Sequence, residues 1–412
     1  MKRDFQMLKF LRLAAALLFV LGVASHGWGA AKCKVLHSFG SGTDGAMPWG
    51  PLVLRGGNLY GVTLGGGTAH GSYGSGTVYE LSPGNNGRWK EKVLYNSAFA
   101  SPSGGLVVDP SGDIHGTGSV AYDTGGVFEL SPSSGGYSFS ILYAGGDAGP
   151  GLLMDRRGNL YGEMGPGQDQ EGAIGELSPG SDGWNYTQLY SFCRGYFCPD
   201  GCGPPAPPIW DGKGNMFGTT TAGGIFSSCW IDGGCGVAFE MTPNGDGTWT
   251  YHVLHRFASS KSDGQSPYGG LVMDKAGNFY GATWVGGAYK QGTVYKLSNI
   301  NGKWKETILY DFPNCALGCM VEGTLAMDKS GNLYGTAAGG TDSCYGEACG
   351  VVFELSPQKN GRWKYSVVYD LTPETGGFQP FYGVIVDDKG NLFGVTSSGG
   401  KYGGGTAFEI TP

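Results

Sequence analysis

A five-residue pattern, Gly-Asn-Leu-Tyr-Gly in its most regular form, constrains the fold of this chain more than any other feature. Successive copies are 46 to 63 residues apart, and the seven central residues are Asn58, Asp113, Asn159, Asn215, Asn278, Asn332 and Asn391. A period of this length is typical of solenoids, propellers and other repeat arrays. We therefore interpret the chain as one repeat architecture, although 412 residues would otherwise suggest two or three domains.

Each repeat contains four short apolar segments, which we name strands a, b, c and d in chain order. In the fifth repeat they are residues 271–274, 278–283, 292–298 and 304–312. Such lengths, bounded by turns rich in Gly, Asn and Pro, are typical of β-strands. The 80 glycines disfavour long helices, because Gly costs about 1 kcal/mol per helical position relative to Ala. The pattern predicts an all-β fold, a seven-bladed β-propeller of four-stranded antiparallel blades.

The two ends of the repeat array predict how the ring closes. Residues 34–39, Lys-Val-Leu-His-Ser-Phe, match strand d, whereas residues 406–410 match strand c. The last repeat therefore lacks a strand d, and the N-terminal segment can supply it. Pairing of the first and last segments within one blade would remove an open sheet edge.

The first 31 residues have the pattern of a cleaved signal peptide. Four basic residues accompany an apolar run over residues 13–23, and Gly29, Ala30 and Ala31 provide the small residues of a cleavage site. We expect one propeller domain over residues 32–412, in a monomeric protein that is secreted, periplasmic or on the cell surface. The apolar run is too short to span a bilayer, and no second run follows.

The net charge argues against a nucleic-acid partner. Removal of residues 1–31 takes away four of the 27 basic side chains and one of the 34 acidic ones, which leaves a net charge of −10. Phosphate binding requires a basic surface.

An aspartate precedes the centre of the pentad by four residues in six repeats. These residues are Asp109, Asp155, Asp211, Asp274, Asp328 and Asp387. At the a-to-b turn, such a side chain can accept hydrogen bonds from backbone N–H groups two residues further on. The alternative is a ring of carboxylates that binds a cation at one mouth of the channel.

Residues that break the repeat are the candidates for catalysis. His115 replaces the Tyr or Phe of the pentad, and Glu163 stands where other repeats have Val, Thr or Ala. We consider both as weak candidates for a general acid or base, with drift within the repeat as the alternative. His252 and His255 are three residues apart on a strand and point to opposite faces, so they cannot chelate one ion. We predict no metal and no cofactor.

Ten cysteines in an exported chain predict disulfide bonds. They are Cys33, Cys193, Cys198, Cys202, Cys229, Cys235, Cys315, Cys319, Cys344 and Cys349. All but Cys33 fall in d-to-a or b-to-c connections, which lie on the same face because strand direction alternates. The connectivity stays open, and we expect the bridges to rigidify functional loops on that face.

Aromatic residues in these connections are the candidates for ligand binding. Three stand at the entry to strand a, Trp49, Tyr268 and Tyr382, and three in b-to-c loops, Trp230, Trp284 and Tyr289. Aromatic side chains flanked by glycine suit stacking on sugar rings or peptide side chains. The alternative is that they cover the blade tops and fill gaps left by glycine.

The order of motifs resembles a known family. Units of the form Asp-Gly-x-x-Pro-aromatic-Gly-Gly-Leu-Val-x-Asp-x-x-Gly-Asn-Leu-Tyr-Gly, followed by Gly-Thr-Val-Phe-Glu-Leu-Ser-Pro, resemble the choice-of-anchor GloVer tandem repeats of exported bacterial proteins. The resemblance covers residues 35–410 and implies an exported propeller of no established activity. The Gly-Asn-Leu-Tyr core is also similar to streptogramin-lyase-type propellers, in which the propeller carries catalysis.

Two classes of function follow from these observations. The first is an extracytoplasmic binding or scaffold module for a glycan or protein ligand, which we favour. The second is a propeller enzyme, a polysaccharide hydrolase or lyase or a streptogramin-lyase-like protein. The inner strand-a segments, such as residues 106–108 and 384–386, are apolar and offer few catalytic groups.

Overall fold

The computed structural model describes residues 31–411, except 69–75, 98–100, 122–123, 147, 166–171, 195–196, 226–228, 230–233, 341–342, 345–346 and 374–375. The predicted signal peptide therefore lies almost entirely outside the described residues. The described chain is all-β, and its sheets form seven antiparallel blades in a propeller ring. No helix in the described ranges is long and apolar enough to cross a membrane. The predicted fold class is confirmed.

The first four blades follow one another along the chain. Blade 1 contains β2 (Ala46–Arg55), β3 (Asn58–Gly65), β4 (Thr77–Pro83) and β5 (Trp89–Asn96). Blade 2 contains β6 (Ser101–Pro102), β7 (Val107–Val108), β8 (Ile114–Ala121), β9 (Thr124–Ser133) and β10 (Gly136–Ala144). Blade 3 contains β11 (Ala148–Met154), β12 (Leu160–Met164), β13 (Ala173–Gly180) and β14 (Gly183–Ser191). Blade 4 contains β15 (Ile209–Trp210), β16 (Met216–Thr220), β17 (Val237–Pro243) and β18 (Trp249–Arg256).

The remaining three blades complete the ring. Blade 5 contains β20 (Val272–Met273), β21 (Phe279–Thr283), β23 (Thr293–Ile300) and β24 (Lys303–Asp311), beside the short pair β19 (Gly264–Gln265) and β22 (Val285–Gly286). Blade 6 contains β25 (Ala326–Met327), β26 (Leu333–Ala337), β29 (Val351–Pro357) and β30 (Trp363–Asp370), beside β27 (Ser343–Cys344) and β28 (Glu347–Ala348). Blade 7 contains β31 (Val384–Val386), β32 (Leu392–Thr396), β33 (Thr406–Thr411) and β1 (Lys32–Ser38). Two single-turn 3₁₀ helices cover Asn85–Gly87 and Cys315–Leu317.

The first strand closes the ring. β1 pairs antiparallel with β33, and Val35 lies opposite Phe408. Phe408 and Ile410 of β33 are fully buried, as is Phe39 just after β1. The predicted completion of the last blade by the N-terminal segment is confirmed, and β33 has no open edge.

The second glycine of the pentad makes room for an aromatic ring of strand c. A Cβ atom on Gly335 would lie 2.5 Å from Cζ of Phe353, and one on Gly116 would lie 2.5 Å from Cζ of Phe128. Both rings are buried. The glycine is therefore required by packing within the blade, where the ring lies directly across strand b.

The repeated aspartate caps the a-to-b turn, as predicted. Oδ1 of Asp328 accepts hydrogen bonds from the backbone N–H groups of Ser330, at 2.8 Å, and Asn332, at 2.9 Å. Its Oδ2 accepts one from Nδ2 of Asn332 at 2.8 Å. The same backbone contacts recur at Asp109, Asp155, Asp211, Asp274 and Asp387. In these turns the carboxylate oxygens accept hydrogen bonds from the turn itself.

Stacked aromatic rings join neighbouring blades at their outer strands. Tyr190 of blade 3 stacks on Tyr251 of blade 4 with ring centroids 4.0 Å apart. Tyr310 of blade 5 stacks on Tyr365 of blade 6 at 4.2 Å. In each pair the first tyrosine follows a register shift of strand d, which turns its side chain toward the next blade.

Removal of β1 is expected to open the ring. A variant that begins at residue 39 exposes the backbone edge of β33 and the side chains of Phe408 and Ile410, so it should melt at a lower temperature and self-associate. Thermal melts and size-exclusion chromatography measure both effects. A variant that begins at residue 32 keeps the closing strand and serves as the control. Equal melting temperatures for the two variants would contradict the closure role of β1.

Candidate functional site

A central cavity of about 980 Å³ lies where the seven blades meet. Every blade contributes to its lining, as the residues Trp49, Ser103, Pro150, Pro205, Tyr268, Glu322 and Phe381 illustrate. Its wall is formed by d-to-a connections and by apolar side chains of the inner strands, such as Leu271, Leu325 and Val384. The volume is in the range of small-molecule pockets.

Aromatic rings from blades 5, 7 and 1 gather in this cavity. Trp49 and Tyr382 contact each other with ring centroids 5.0 Å apart, although they are 333 positions apart in the sequence. Tyr268 contacts Trp284, whose ring centroid is 5.4 Å away. Trp49, Tyr268 and Tyr382 line the cavity. We call Trp49, Tyr268 and Tyr382 the aromatic mouth; Trp284 supports Tyr268 and is not among the described residues of the lining.

Glu322 of blade 6 lies among these rings. It is the only carboxylate among the described residues that line the cavity. Burial raises the pKa of Glu322, and the Trp284 side chain offsets part of that rise. Glu322 in turn contributes to the raised pKa values of Tyr268 and Tyr382, for which burial is the larger cause.

The indole N–H of Trp284 interacts with Glu322. Nε1 of Trp284 is buried, and hydrogen bonding by this side chain opposes the rise that burial causes in the pKa of Glu322. Trp284 therefore acts on the carboxylate, although it is not part of the described lining of the cavity.

Glu322 was missed by the sequence analysis, although a signal was present. Trp49, Tyr268 and Glu322 each stand three positions before a buried leucine of the inner strand, namely Leu52, Leu271 and Leu325. Glu322 thus occupies in blade 6 the repeat position that is aromatic in blades 1 and 5. An alignment of the repeats on this leucine would have found it.

The other two predicted ligand-binding aromatics are placed differently. Tyr289 is 58% exposed and does not line the cavity. Trp230 lies outside the described residues.

Disulfide bonds hold the connections around this face. The pairs are Cys193–Cys198, Cys229–Cys235 and Cys315–Cys319, and Cys349 is also disulfide-bonded. The prediction of disulfides is confirmed, and three of the pairings left open by the sequence are resolved as short local loops. Cys319 precedes Glu322 by three residues, so its bridge restrains the segment that carries this carboxylate.

Three further predicted cysteines lie elsewhere. Cys33 is on β1, where burial raises the pKa of its thiol to about 12. Cys202 is buried in the connection that enters blade 4, where its backbone forms an isolated antiparallel β-bridge with Ala222. The side chain of Cys344 is outside the described part of the structure.

The two weak catalytic candidates do not meet in the cavity. His115 on β8 is 3% exposed, and its Nδ1 lies 3.7 Å from Glu129 of the neighbouring strand. Burial lowers the pKa of His115. Glu163 on β12 packs beside Gly149 and Gly172. Neither His115 nor Glu163 lines the cavity.

One group of described residues could hold a metal ion. Ligand atoms of His255, Asp263 and Glu306 all lie within 4.8 Å of one another. Nε2 of His255 is 3.1 Å from Asp263 and 3.7 Å from Glu306. Imidazole and carboxylate are zinc ligands, but these three residues lie between the outer parts of blades 4 and 5, away from the central cavity.

A related arrangement recurs between blades 7 and 1. Nε2 of His37 is 3.0 Å from Asp44, and Glu91 occupies the strand-d position of Glu306. In both interfaces histidine replaces the tyrosine of the interblade stack. The prediction that His252 and His255 do not share an ion considered only this pair, and the sequence pattern gave no sign of the contacts of His255 with Asp263 and Glu306.

Burial and nearby acidic groups favour a proton on both glutamates. Burial raises the pKa of Glu306 to about 9, with a further contribution from Asp263. Burial raises the pKa of Glu91 to about 7, with a further contribution from Asp44. The folded protein therefore binds each proton more tightly than the unfolded chain does.

Replacement of Glu306 by glutamine should stabilise the protein in mildly alkaline solution. Ionisation of Glu306 destabilises the wild type progressively as the pH rises from about 4.5 to about 9. At pH 8, Glu306→Gln should therefore raise the free energy of unfolding by about 1 to 4 kcal/mol, and at pH 4 the two proteins should melt alike. Glu91→Gln is the matched control, because its pKa of about 7 limits the effect to a narrower pH range and a smaller gain. A loss of stability in Glu306→Gln at pH 8 would contradict this assignment.

Comparisons with known proteins place the chain in a family but leave its activity open. No curated protein matches the sequence. A Bacteroides fragilis structure provisionally named a 6-phosphogluconolactonase is 15% identical over 82% of this chain and 86% of its own, with a TM-score of 0.48. The GH93 α-L-arabinofuranosidase of Fusarium graminearum, in complex with arabinobiose, is 13% identical over 82% and 97% of the two chains, with a TM-score of 0.45.

The sequence profile of the Gloeobacter/Verrucomicrobia repeat matches residues 29–231 and 204–412. The two matches together span nearly the whole chain, and the seven blades are the structural form of the repeat. The protein belongs to the Gloeobacter/Verrucomicrobia repeat family.

Proposed function

We propose that this propeller is an extracytoplasmic binding module that takes a glycan at its aromatic mouth. The observation that carries the proposal is the convergence of Trp49, Tyr268 and Tyr382 on one cavity of about 980 Å³, with Trp284 in contact with Tyr268. Sugar rings expose C–H faces that pack on aromatic rings, while their hydroxyl groups need hydrogen-bond partners. Glu322 and the tyrosine hydroxyls are such partners.

Rigidity of the mouth supports a binding role. Trp49 lies within strand β2, Tyr382 lies two residues before strand β31, and the disulfide bonds restrain neighbouring connections. A site that is ordered before the ligand arrives loses less conformational entropy on binding.

The disulfide bonds also bear on where the protein acts. Such bonds are typical of proteins that fold in an oxidising environment. We propose that residues 1–31 are a cleaved signal peptide and that residues 32–412 act as one domain outside the cytoplasm, in the periplasm, at the cell surface or after secretion.

The composition of the cavity favours binding over hydrolysis. Most glycoside hydrolases use two carboxyl groups on opposite sides of the scissile bond. The described lining of the cavity has the single carboxylate Glu322. Neither His115 nor Glu163 is part of the described lining, so the described residues do not place a second carboxyl group opposite Glu322.

Substitutions in the mouth should abolish glycan binding without unfolding the protein. A glycan array identifies a bound oligosaccharide, and titration calorimetry then compares variants. Tyr268→Ala should weaken binding at least about tenfold and change the melting temperature little, because Tyr268 is already 38% exposed. Trp49→Leu should act similarly while it keeps apolar packing beneath the ring.

Tyr402→Ala is the matched control, since Tyr402 is 49% exposed in another loop and does not line the cavity. Unchanged affinity in Tyr268→Ala and Trp49→Leu, or an equal loss in Tyr402→Ala, would contradict binding at the aromatic mouth. Product formation from the bound glycan that is lost in Glu322→Gln would instead favour an enzyme.

A further inference from the structure

Glu322 is a half-buried carboxylate for which the described part of the protein provides no cation. None of the described residues that line the cavity is Lys, Arg or His. None of the ion pairs among the described residues involves Glu322. The side chain is surrounded instead by aromatic rings and apolar inner strands.

An ionised carboxylate in such a place is costly unless an opposite charge reaches it. The Trp284 side chain compensates only in part, since the pKa of Glu322 remains raised. Burial therefore disfavours the ionised carboxylate in the empty cavity, and a positive group that arrives with the ligand would offset this cost.

The surrounding rings also attract positive charge. The faces of Trp and Tyr carry a negative electrostatic potential that binds ammonium groups. Tyr268 and Tyr382 are close enough to Glu322 for its charge to raise their pKa values, and Trp284 and Trp49 contact these two rings. The Glu322 carboxylate and the aromatic faces can therefore attract the same positively charged group of a ligand.

An ammonium group fits this arrangement better than a metal ion does. Calcium needs six to eight oxygen ligands, and magnesium needs six in octahedral geometry. The described lining provides one carboxylate, with mainly apolar and aromatic neighbours. An organic cation, in contrast, needs one carboxylate and packs its carbon atoms on the rings.

We propose that the aromatic mouth recognises a glycan that carries a protonated amino sugar, with the ammonium group on Glu322 and the sugar faces on Tyr268, Tyr382 and Trp49. This inference rests on the proposed function, because it names the class of glycan for the same site. The ammonium group donates charge-assisted hydrogen bonds to the carboxylate. Loss of its positive charge, as in an N-acetyl group, removes the ion pair and leaves the stacking.

The test compares two oligosaccharides that differ at the amine. Titration calorimetry measures binding of a glucosamine tetramer and of an N-acetylglucosamine tetramer, in a buffer in which the free amine is protonated. The wild type should bind the glucosamine tetramer at least about tenfold more tightly. Glu322→Gln, which keeps the shape of the side chain, should bind the two tetramers equally.

Two controls separate this effect from general damage to the site. Glu240→Gln removes a half-buried carboxylate of strand c that does not line the cavity, and it should keep the wild-type preference. The preference should also fall as the salt concentration rises, because it depends on an ion pair. This second measurement needs no variant and stands even if Glu322→Gln folds poorly.

The outcomes distinguish the inference from the function on which it rests. Equal binding of both tetramers by the wild type, or an unchanged preference in Glu322→Gln, would overturn amine recognition while glycan binding stands. If neither tetramer binds and the glycan array is also negative, the proposed function fails and this inference fails with it.

Discussion

The antiparallel pairing of β1 with β33 is the contact on which the rest of the structure depends. It joins residues from the two ends of the described chain within one blade, with Lys32 opposite Thr411. The contact between Trp49 of blade 1 and Tyr382 of blade 7 exists only because this pairing brings the two blades side by side. The central cavity is therefore a property of the closed ring, and no single blade contains it.

Within the ring, one repeat position takes different residues for different purposes. The position three residues before the inner-strand leucine is Trp49 in blade 1, Tyr268 in blade 5 and Glu322 in blade 6. The backbone presents all three to the same cavity. A propeller can therefore assemble a mixed aromatic and acidic site without any change in the fold of its blades.

The interfaces between blades show a second substitution of this kind. Stacked tyrosines, such as Tyr310 with Tyr365, recur along the ring. Between blades 4 and 5 the same space holds His255, Asp263 and Glu306. Buried ionisable groups impose a dependence on pH that an aromatic stack does not, so these interfaces are chemically distinct although their backbones are alike.

The sequence by itself determined the number of blades, the way in which the ring closes and the Asp-capped turns. The pentad recurs seven times and its aspartate six times, the closing strand repeats the strand-d pattern, and local backbone requirements fix each of these patterns. The tertiary structure alone decided that Glu322 lies among rings from three other blades, that His255 meets Asp263 and Glu306, and that Cys315 pairs with Cys319. The surroundings of Glu322 and of His255 depend on how blades are placed in the ring, and the Cys315–Cys319 pairing depends on the path of one loop. Spacing in the sequence specifies neither the placement of the blades nor the path of the loop.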